Sequence, residues 1–309
     1  MTLARDITLK QIRAFAAVVR TGSVTKAAEE LFVTPPAISS QLKILQGLAG
    51  AEILTREPGG LTPTHVGLEI VELSHMVEAA IATSSRKIGA IKSGKSGSVS
   101  IAVVSTGKYF APRIFAAFMK AYPGIELKPI IGNRQTVLKA LRTGEADIAI
   151  MGRPPAKLDV LAHELGDHPN IIIAPPVHLL AKAQKIEVAD LLAQTLLTRE
   201  LGSGTRTLAI RYMDRIGNGR GYPTMTIGSN ESIKQAVMAG LGIAMISEHT
   251  CMAELTSGRL VALNMPGLPI IRKWIMVHLT SSEISAAAKS FHSFVLENRD
   301  GFIPKHILD

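Results

Sequence analysis

Apolar side chains recur at helical spacing in three short segments near the start of the chain. The apolar face of the first segment consists of Leu9, Ile12, Phe15, Ala16 and Val19. Thr8, followed three residues later by Gln11, predicts a capping box at the start of this helix. Gly22 predicts the end of the helix, and Ser23 is a typical N-cap for a second helix over residues 24–31. The pattern therefore predicts two short helices in quick succession.

A third helix is predicted to begin after Thr34, with Pro35 at its first position, where the missing N–H costs nothing. Its inward face consists of Ile38, Leu42 and Leu45. The opposite stripe consists of Pro36, Ser39, Ser40 and Lys43. Two short helices joined by a short turn, with small polar side chains on the second, are typical of a helix-turn-helix. An ordinary helical hairpin with a solvated polar face is the alternative.

Serine, glutamine and lysine side chains suit a DNA groove, because they can reach base edges and phosphates. Residues 52–56 are strand-like, residues 57–60 predict a turn, and a second strand would complete a two-stranded wing. Such a wing would place Arg56 and Thr62 at the phosphate backbone. The predicted DNA-contacting residues are Thr34, Pro36, Ser39, Ser40, Gln41, Lys43, Arg56 and Thr62.

Residues 63–91 form one long amphipathic pattern whose apolar positions are spaced by about 3.5 residues, as in a coiled-coil seam. The seam positions are Ile70, Leu73, Val77, Ile81, Ser84, Ile88 and Ile91. A long helix on a small domain cannot bury such a stripe by itself, which predicts pairing with a second copy of the chain. A dimer would place two reading helices about one DNA turn apart, on a site with dyad symmetry. The alternative is a helix that packs on its own second domain.

After a Gly/Ser-rich hinge at 93–98, residues 97–303 alternate between strand-like and helix-like stretches. The stretches 99–104, 125–131 and 147–151 read as strands, and those at 111–119 and 135–142 read as helices. This alternation predicts parallel sheets with helices on both faces. Ligands of such sheets bind beyond the carboxyl ends of the strands, which makes the loops there candidate binding loops.

Several of these loops carry hydroxyls, arginines or glycines, which suit an anion. The loop 202–206 is glycine-rich and precedes a helix, although its spacing is not that of a phosphate-binding P-loop. Taken singly, each loop is more often a turn before a capped helix, and their shared position favours a ligand site. The predicted ligand-binding residues are Ser105, Thr106, Gly107, Lys108, Asn133, Arg134, Arg153, Arg199, Ser203, Thr205, Arg206, Ser229, Asn230 and Glu231.

The chain of 309 residues has 34 Lys and Arg against 25 Asp and Glu, a net charge of +9. Residues 1–92 hold 10 basic and 8 acidic side chains, whereas residues 93–309 hold 24 and 17. Most of the positive excess therefore lies in the second part, which is compatible with a small anionic ligand. The single cysteine and the lack of a long apolar run or a signal-peptide core predict a cytoplasmic protein without a membrane partner.

Catalytic motifs are not found. Metal-binding spacings such as His-Glu-x-x-His or Cys-x-x-Cys do not occur, nor does the Gly-x-Ser-x-Gly nucleophile elbow. His163 and His168 near Asp167 are interpreted as part of a surface loop, and Cys251 as a small buried side chain. The sequence predicts a protein that is not an enzyme and has neither a metal nor a cofactor.

The stretches 22–28 (GSVTKAA) and 34–42 (TPPAISSQL), continued by Arg56, Leu61, Thr62 and Gly67, resemble the LysR-type transcriptional regulators. The resemblance covers essentially the whole chain. One departure is Pro35, where the family commonly has a glutamine that often touches a base. Base contacts are therefore expected mainly from the polar stripe of the third helix, Pro36, Ser39, Ser40 and Lys43.

The resemblance implies an all-α winged helix-turn-helix over residues 1–62, a linker and dimerisation helix over 63–92 and a hinge at 93–98. It also implies an α/β effector-binding domain over 99–303, of the type II periplasmic-binding-protein fold. That domain would consist of two Rossmann-like subdomains, the first over 99–163 and 268–303 and the second over 164–267. Two crossover strands would join the subdomains, with the effector in the cleft between them.

A closer resemblance, to the regulators of Calvin-cycle carbon-fixation operons, rests on residues 132–134, 149–155, 199–206 and 228–235. It implies operator DNA as a partner, self-association to a dimer and further to a tetramer, and an anionic or phosphorylated metabolite as effector. RNA polymerase is a further candidate partner. The alternatives are regulation of a different metabolic operon and, from the two-lobed pattern of the second half, a solute-binding protein.

Overall fold

The computed structural model describes residues 3–93, 97–156, 158–281 and 283–306. The chain divides into two compact units, the first ending at Ser85 and the second beginning at Arg86, with Thr143–Glu145 grouped with the first. The predicted hinge includes residues 94–96, which lie outside the described residues, and the predicted domain bounds stay predictions. None of the described helices has both the length and the apolar character needed to cross a membrane.

The first unit is helical with one small hairpin. Its elements are α1 (Leu3–Asp6), α2 (Leu9–Thr21), α3 (Val24–Glu30), α4 (Pro35–Ala49), β1 (Leu54–Glu57), β2 (Gly60–Pro63) and the start of α5 (His65–Ser93). The predicted capping box is present, because Thr8 Oγ1 accepts from the Gln11 amide at 3.3 Å and Gln11 Oε1 accepts from the Thr8 amide at 2.7 Å. Thr34 does occupy the N-cap of α4, but its side chain makes no capping hydrogen bond.

Two apolar clusters hold the first unit together. One consists of Ala14, Ala17, Val18, Ala27, Ala28 and Ile38, and the other of Phe15, Leu45, Ile53 and Ile70. The close approach of α5 to the chain before β1 requires glycine at position 67, where a Cβ atom would lie 2.2 Å from the Ile53 carbonyl oxygen. The hairpin is tied to the end of α2 by a hydrogen bond of 2.9 Å from the Leu61 amide to the Gly22 carbonyl oxygen.

The predicted seam of α5 is not uniform. Ile70 is only 2% exposed because it packs inside the first unit, whereas Ile81 is 36% and Ile88 55% exposed. The first seam position therefore belongs to the domain's own core, which is a correction. The seam positions that remain for a partner lie farther along the helix.

The second unit is an α/β fold. Its strands are β3 (Gly97–Val104), β4 (Ile125–Gly132), β5 (Ile148–Met151), β6 (Val160–Ala174), β7 (Leu196–Thr198), β8 (Thr224–Thr226), β9 (Ala244–Ser247), β10 (Val261–Ala262) and β11 (Ile270–Leu279). Its further helices are α6 (Ala111–Ala121), α7 (Arg134–Arg142), α8 (Leu179–Lys182), α9 (Val188–Leu192), α10 (Gly204–Gly217), α11 (Asn230–Met238), α12 (Met252–Thr256) and α13 (Ala286–Phe302). The five strands and helices predicted between residues 99 and 151 are confirmed within a few residues.

The strands of the main sheet lie in the order β10-β6-β11-β5-β3-β4, and β9 pairs with β6. Strands β3, β4 and β5 are parallel, but the long strands β6 and β11 are antiparallel, with Val160 opposite Leu279 and Asn170 opposite Ile270. The expected parallel pairing is thus confirmed for β3, β4 and β5, but the sheet as a whole is mixed. The reason is that β6 and β11 are the two crossover strands, running in opposite directions between the subdomains.

Separate apolar cores mark the two subdomains. The first subdomain is built around β3, β5, α6, α7 and α13, with Phe110, Phe118 and Phe291 fully buried. In the second subdomain, one core lies between the sheet and α10, and another lies against α11. The parallel pair β7–β8 also belongs to this subdomain. The crossover strands therefore connect two bodies that are each packed on their own.

Candidate functional site

Helix α4 presents its polar stripe outward. Ile38 and Leu45 are buried against the rest of the first unit, while Pro36, Ser39 and Lys43 are exposed. Thr34 and Ser40 are exposed as well, and Gln41 is half-buried. The orientation that the spacing predicts is therefore the one observed, and the side chains are free to enter a groove.

The wing is a two-stranded antiparallel ladder in which Arg56 lies opposite Leu61 and Thr55 opposite Thr62. Arg56 is exposed, as a phosphate contact requires. The hydroxyl oxygen of Thr62 is buried and has no hydrogen-bond partner among the described residues. In this arrangement Thr62 cannot offer its hydroxyl to a phosphate, and that prediction is corrected.

A cavity of about 100 Å³ opens in the second unit at the carboxyl end of β3 and the N-terminus of α10. Eight of the fourteen predicted ligand residues line it, namely Ser105, Thr106, Asn133, Arg134, Arg153, Arg199, Ser203 and Thr205. The remaining lining residues are Val104, Gly152, His168, Asn170, Gly204, Thr207, Leu208, Arg211 and Arg272. Residues from both subdomains and from the crossover strands thus meet at one place.

The charged side chains that line the cavity are all positive. Five arginines line it, and the lining of the described chain contains no aspartate or glutamate; the arginines are Arg134, Arg153, Arg199, Arg211 and Arg272. Burial lowers the pKa of the Arg272 guanidinium, and the neighbouring Arg153, Arg211 and Arg134 lower it further. Burial and the nearby Arg153 also lower the pKa of Arg134. Crowded guanidinium groups repel one another, and an anion placed among them removes that repulsion.

Arg134 is held in place by the loop after β5. Its Nη1 donates to the Arg153 carbonyl oxygen at 2.6 Å and its Nη2 to the Pro154 carbonyl oxygen at 3.1 Å. The N-terminus of α10 also lines the cavity, with Ser203 as N-cap and Gly204 as first residue. A helix N-terminus carries partial positive charge and free N–H donors, which adds to the attraction for an anion.

Arg199 is only 4% exposed and joins several groups at the cavity edge. Its Nε donates to Glu200 Oε2 at 2.7 Å, and its Nη2 donates to Glu200 Oε1 at 2.9 Å and to Ser105 Oγ at 3.2 Å. Its Nη1 donates to Asn230 Oδ1. Burial by itself raises the pKa of Glu200, but the hydrogen bonds from Arg199 and Asn133 outweigh it and hold that pKa below its ordinary value.

His168 forms part of the cavity wall. Its ring is stacked on the fully buried Trp274 with 3.9 Å between the centroids, and Trp274 Nε1 donates to His249 Nδ1 at 3.1 Å. Burial, together with His249 and Arg272, lowers the pKa of His168 to about 3, so its ring is neutral at neutral pH. The ring fits because position 152 is glycine, where a Cβ atom would lie 2.7 Å from His168 Nδ1.

The interpretation of His163 and His168 as parts of a surface loop is wrong, because both lie on strand β6 and His168 is only 6% exposed. His163 instead contacts His292 of α13, with 3.1 Å between His163 Nδ1 and His292 Nε2. The sequence spacing does not reveal this, since the partner is 129 residues away. The interpretation of Cys251 as a buried side chain is confirmed.

Six predicted ligand residues do not line the cavity: Gly107, Lys108, Arg206, Ser229, Asn230 and Glu231. Arg206 Nη1 donates to Thr198 Oγ1 at 2.7 Å and to Thr226 Oγ1 at 3.1 Å, and so ties β7 to β8. Asn230 is buried and supports Arg199. Both side chains therefore bind protein groups in this structure, and their assignment as ligand contacts stays a prediction.

The other four residues that do not line the cavity also contact protein groups. Ser229 caps α11 by accepting from the Ser232 amide at 3.0 Å, and Glu231 accepts from Tyr109 Oη at 3.2 Å and pairs with Lys234. Lys108 lies over the Tyr109 ring, 5.1 Å from its centroid. Gly107 is buried where a Cβ atom would lie 2.6 Å from Val103 Cγ1. The residue types of a single loop do not distinguish a side chain that caps a helix from one that contacts a ligand.

The cavity arginines that the sequence analysis missed lie on a helix and a strand, not on loops. Arg211 follows Gly204 by seven residues, with Thr207 and Leu208 between, which is the spacing of one helix face. That periodicity could have found Arg211. Arg272 lies opposite His168 in the ladder of β6 and β11, a pairing that no local pattern indicates.

Family models cover nearly the whole chain. A model described as a bacterial regulatory helix-turn-helix protein of the lysR family matches residues 9–68, and a model described as a LysR substrate binding domain matches residues 92–300.

Named relatives match over nearly their full length. The HTH-type transcriptional regulator CbbR of Cereibacter sphaeroides is 42% identical over 96% of this chain and 97% of the relative. CbbR of Xanthobacter flavus is 42% identical over 98% of this chain and 91% of the relative. The RuBisCO operon transcriptional regulator of Allochromatium vinosum is 37% identical over 94% of this chain and 96% of the relative.

Solved structures show the same architecture. The regulatory domain of CcmR from Synechocystis PCC6803, in complex with 2-PG, is 30% identical and has a TM-score of 0.59, covering 65% of this chain and 96% of that chain. The LysR family regulator CbnR shares the fold at 16% identity, with a TM-score of 0.70 over 95% of this chain and 99% of that chain. Together with the helix-turn-helix and the two-subdomain cleft, these matches lead to one conclusion: the chain belongs to the LysR family of bacterial regulatory helix-turn-helix proteins.

Proposed function

We propose that the protein regulates a carbon-fixation operon and that a small phosphorylated acid, bound in the arginine-lined cavity, is its effector. The observation that carries the effector class is the cavity itself, since five arginines face it and the described lining contains no carboxylate. The named relatives support the operon class, because they are CbbR proteins and a RuBisCO operon regulator. The helix-turn-helix match over residues 9–68 argues against the solute-binding alternative.

DNA binding is assigned to the first unit. Ser39, Ser40 and Lys43 would enter the major groove from α4, and Arg56 would contact the backbone from the wing. Because α4 carries small hydroxyls and a single lysine, base contacts supply the specificity and a few phosphate contacts supply the position. A limited number of phosphate contacts also predicts a moderate salt dependence of operator affinity.

The effector would need two anionic groups to use the whole cavity. Arg134 and Arg153 approach from the first subdomain, Arg211 approaches from the second, and Arg272 lies on the crossover strand β11. Guanidinium groups bind phosphate and carboxylate in a bidentate manner, and the hydroxyls of Ser105 and Thr106 add neutral donors. The CcmR domain complexed with 2-PG supports a phosphorylated acid of this kind.

The signal would be a change in the arrangement of the two subdomains. An effector shifts an equilibrium only when it binds one arrangement better than the other. An anion between arginines of both subdomains favours the arrangement in which those arginines are closest. Such a change would alter how effector domains of neighbouring protomers pair, and with it the spacing of the DNA-binding units on the operator.

Self-association is part of the proposal. The exposed apolar side chains of α5, such as Ile81 and Ile88, would pack against the same helix of a second protomer, and effector domains would pair further to a tetramer. RNA polymerase would be the partner at promoters where the protein activates transcription. Sedimentation of the full chain with and without its operator tests the assembly directly.

The test of the function is footprinting of the intergenic DNA upstream of the protein's own gene, with and without 2-phosphoglycolate. The expected result is a protected site with dyad symmetry, whose boundaries or hypersensitive positions change when the acid is added. Inorganic phosphate at the same ionic strength is the control for a general salt effect. A protein that protects no site there, or whose footprint is the same with every candidate phosphorylated acid, contradicts the proposal.

A further inference from the structure

One arginine of the cavity differs from the others. Arg199 is paired with a carboxylate at bidentate distances, through Nε to Glu200 Oε2 and Nη2 to Glu200 Oε1. The other four cavity arginines have no carboxylate within salt-bridge distance among the residues that the structure describes. An entering anion therefore meets four guanidinium groups without a counter-ion and one that already holds an internal anion.

Glu200 also links the two subdomains. Its Oε1 accepts from Arg199 Nη2 at 2.9 Å and from Asn133 Nδ2 at 3.2 Å. Asn133 precedes α7 in the first subdomain, and Arg199 follows β7 in the second. Asn133 and Arg199 both line the cavity, so this one carboxylate joins the subdomains at its edge.

The donors of Arg199 are nearly all engaged. A guanidinium has five N–H groups, and four hydrogen bonds go to Glu200, Ser105 and Asn230. Glu200 occupies both donors of the Nε/Nη2 edge, so an anion can bind that edge in a bidentate manner only by displacing Glu200. Even without displacement, the negative charge of Glu200 repels a second anion beside the same guanidinium.

We propose that Glu200 is an internal anion that competes with the effector for Arg199, and that its displacement also breaks its hydrogen bond to Asn133. The inference rests on the proposed effector site and names a residue that regulates it. Displacement would remove a link between the subdomains in the same step in which the ligand is bound. Binding and rearrangement would then be coupled through one side chain.

Competition with a carboxylate would also make the site prefer phosphate over carboxylate ligands. A ligand with a single carboxylate carries the same charge as Glu200 and must in addition lose its freedom of movement on binding. A phosphate dianion carries more charge and more acceptor oxygens, and so outcompetes the internal carboxylate. Glu200 would therefore act as a specificity-determining residue that excludes simple monocarboxylates.

The experiment compares the full-length wild type with Glu200→Gln and Glu200→Ala, and uses Glu187→Gln as the control. Glu187 carries the same charge but pairs with Lys185 and does not line the cavity. Thermal unfolding is measured against inorganic phosphate and against acetate, at constant ionic strength. Both Glu200 variants should bind phosphate about tenfold more tightly than the wild type, and acetate should stabilise them but not the wild type. The Glu187 variant should match the wild type.

Equal or weaker phosphate binding by both Glu200 variants would overturn the inference and leave Glu200 as a brace for Arg199 alone. The same holds if phosphate stabilises none of the four proteins, since removing the internal anion would then have created no anion site. This readout contains no DNA. A failure of operator binding would contradict the proposed function but would not affect the phosphate comparison. A failed phosphate comparison would contradict the role of Glu200 but would not affect operator binding.

Discussion

The proposed DNA-reading surface and the effector cavity are built in opposite ways. Apart from Arg56 in the wing, the reading residues lie between positions 34 and 43 on one helix, whose inner face is anchored by Ile38 and Leu45. The cavity draws its residues from positions 104 to 272, on two subdomains and the strands that join them. A surface carried by one helix can be found from its periodicity, whereas a cavity assembled from distant strands cannot.

The two regions also differ in charge. The α4 stripe holds one lysine among small polar side chains, while the cavity holds five arginines and, among its described lining residues, no carboxylate. DNA presents many phosphates to a broad surface, so a few placed contacts suffice there. A small ligand must be held by all of its contacts at once, which requires a high local density of donors. The comparison predicts that single substitutions cost more in the cavity than on the helix.

The largest effect is expected for Arg272→Ala. The loss of a charge-assisted hydrogen bond in the cavity should weaken binding of 2-phosphoglycolate by about 100-fold, as measured by calorimetry. Operator affinity without effector should stay unchanged. Lys273→Ala, next on the same strand but paired with the half-exposed Asp167, is the matched control and should bind the acid normally. Equal affinities in both variants would remove Arg272 from the site.

The next effect concerns pH. The folded-state pKa of His168, about 3, lies below its ordinary value of 6.5 because burial disfavours the charged ring. Its contribution to the free energy of unfolding is therefore complete above pH 6.5 and is lost as pH falls towards 3. The loss is about 1.4 kcal/mol per pH unit in that window, or about 2 kcal/mol at pH 5.

The fluorescence of Trp274, the single tryptophan of the chain, reports this unfolding because His168 stacks on it. His168→Phe keeps an aromatic ring on Trp274 and should flatten the pH dependence by that amount. The rest of the dependence would come from other groups, among them His249, whose pKa burial lowers to about 4. An unaltered pH profile in the variant would show that His168 takes up its proton in the folded protein as readily as in the unfolded chain, and would contradict the lowered pKa.

A smaller effect is expected on the DNA-reading helix. Lys43→Ala should weaken operator binding about tenfold and lower the slope of log affinity against log salt by about 1, since one phosphate contact is lost. Lys120→Ala, an exposed lysine of α6, gives the same change of net charge and should alter neither quantity. Mobility shifts at several salt concentrations measure both. A slope that is the same in all three proteins would place Lys43 away from the DNA.

The smallest effect is expected for Gly47→Ala in α4, and Gly67→Ala in α5 is the contrasting substitution. Gly47 of α4 has open space where a Cβ atom would be, so Gly47→Ala should raise the free energy of unfolding by about 0.5–1 kcal/mol in urea titrations. Gly67→Ala should lower that free energy instead, because its Cβ atom would lie 2.2 Å from the Ile53 carbonyl oxygen. Opposite signs would confirm the packing of α4 and α5; equal signs would contradict it.

Local rules account well for the first unit. The capping box at Thr8, the C-cap at Gly22 and the first position of Pro35 all follow from neighbouring residues, and all three are present. The same rules fail at Thr62, whose hydroxyl is buried, and at Ile70, which packs into the domain's own core. In both cases the orientation of the side chain depends on how segments distant in sequence pack together. The periodicity along a single helix or strand does not predict that packing.

The amino-acid sequence alone determined the helix-turn-helix, the outward stripe of α4 and the order of strands and helices up to residue 151, and it predicted the anionic ligand that we propose. Only the tertiary structure decided that β6 and β11 pair as antiparallel crossovers, which brings Arg272 opposite His168 and closes the cavity. It also decided that Arg206 and Asn230 support the fold and that Arg211 faces the cleft. The physical reason is the distance along the chain. Caps and amphipathic faces depend on residues three or four positions apart, whereas the cavity is lined by residues up to 168 positions apart in sequence, from Val104 to Arg272.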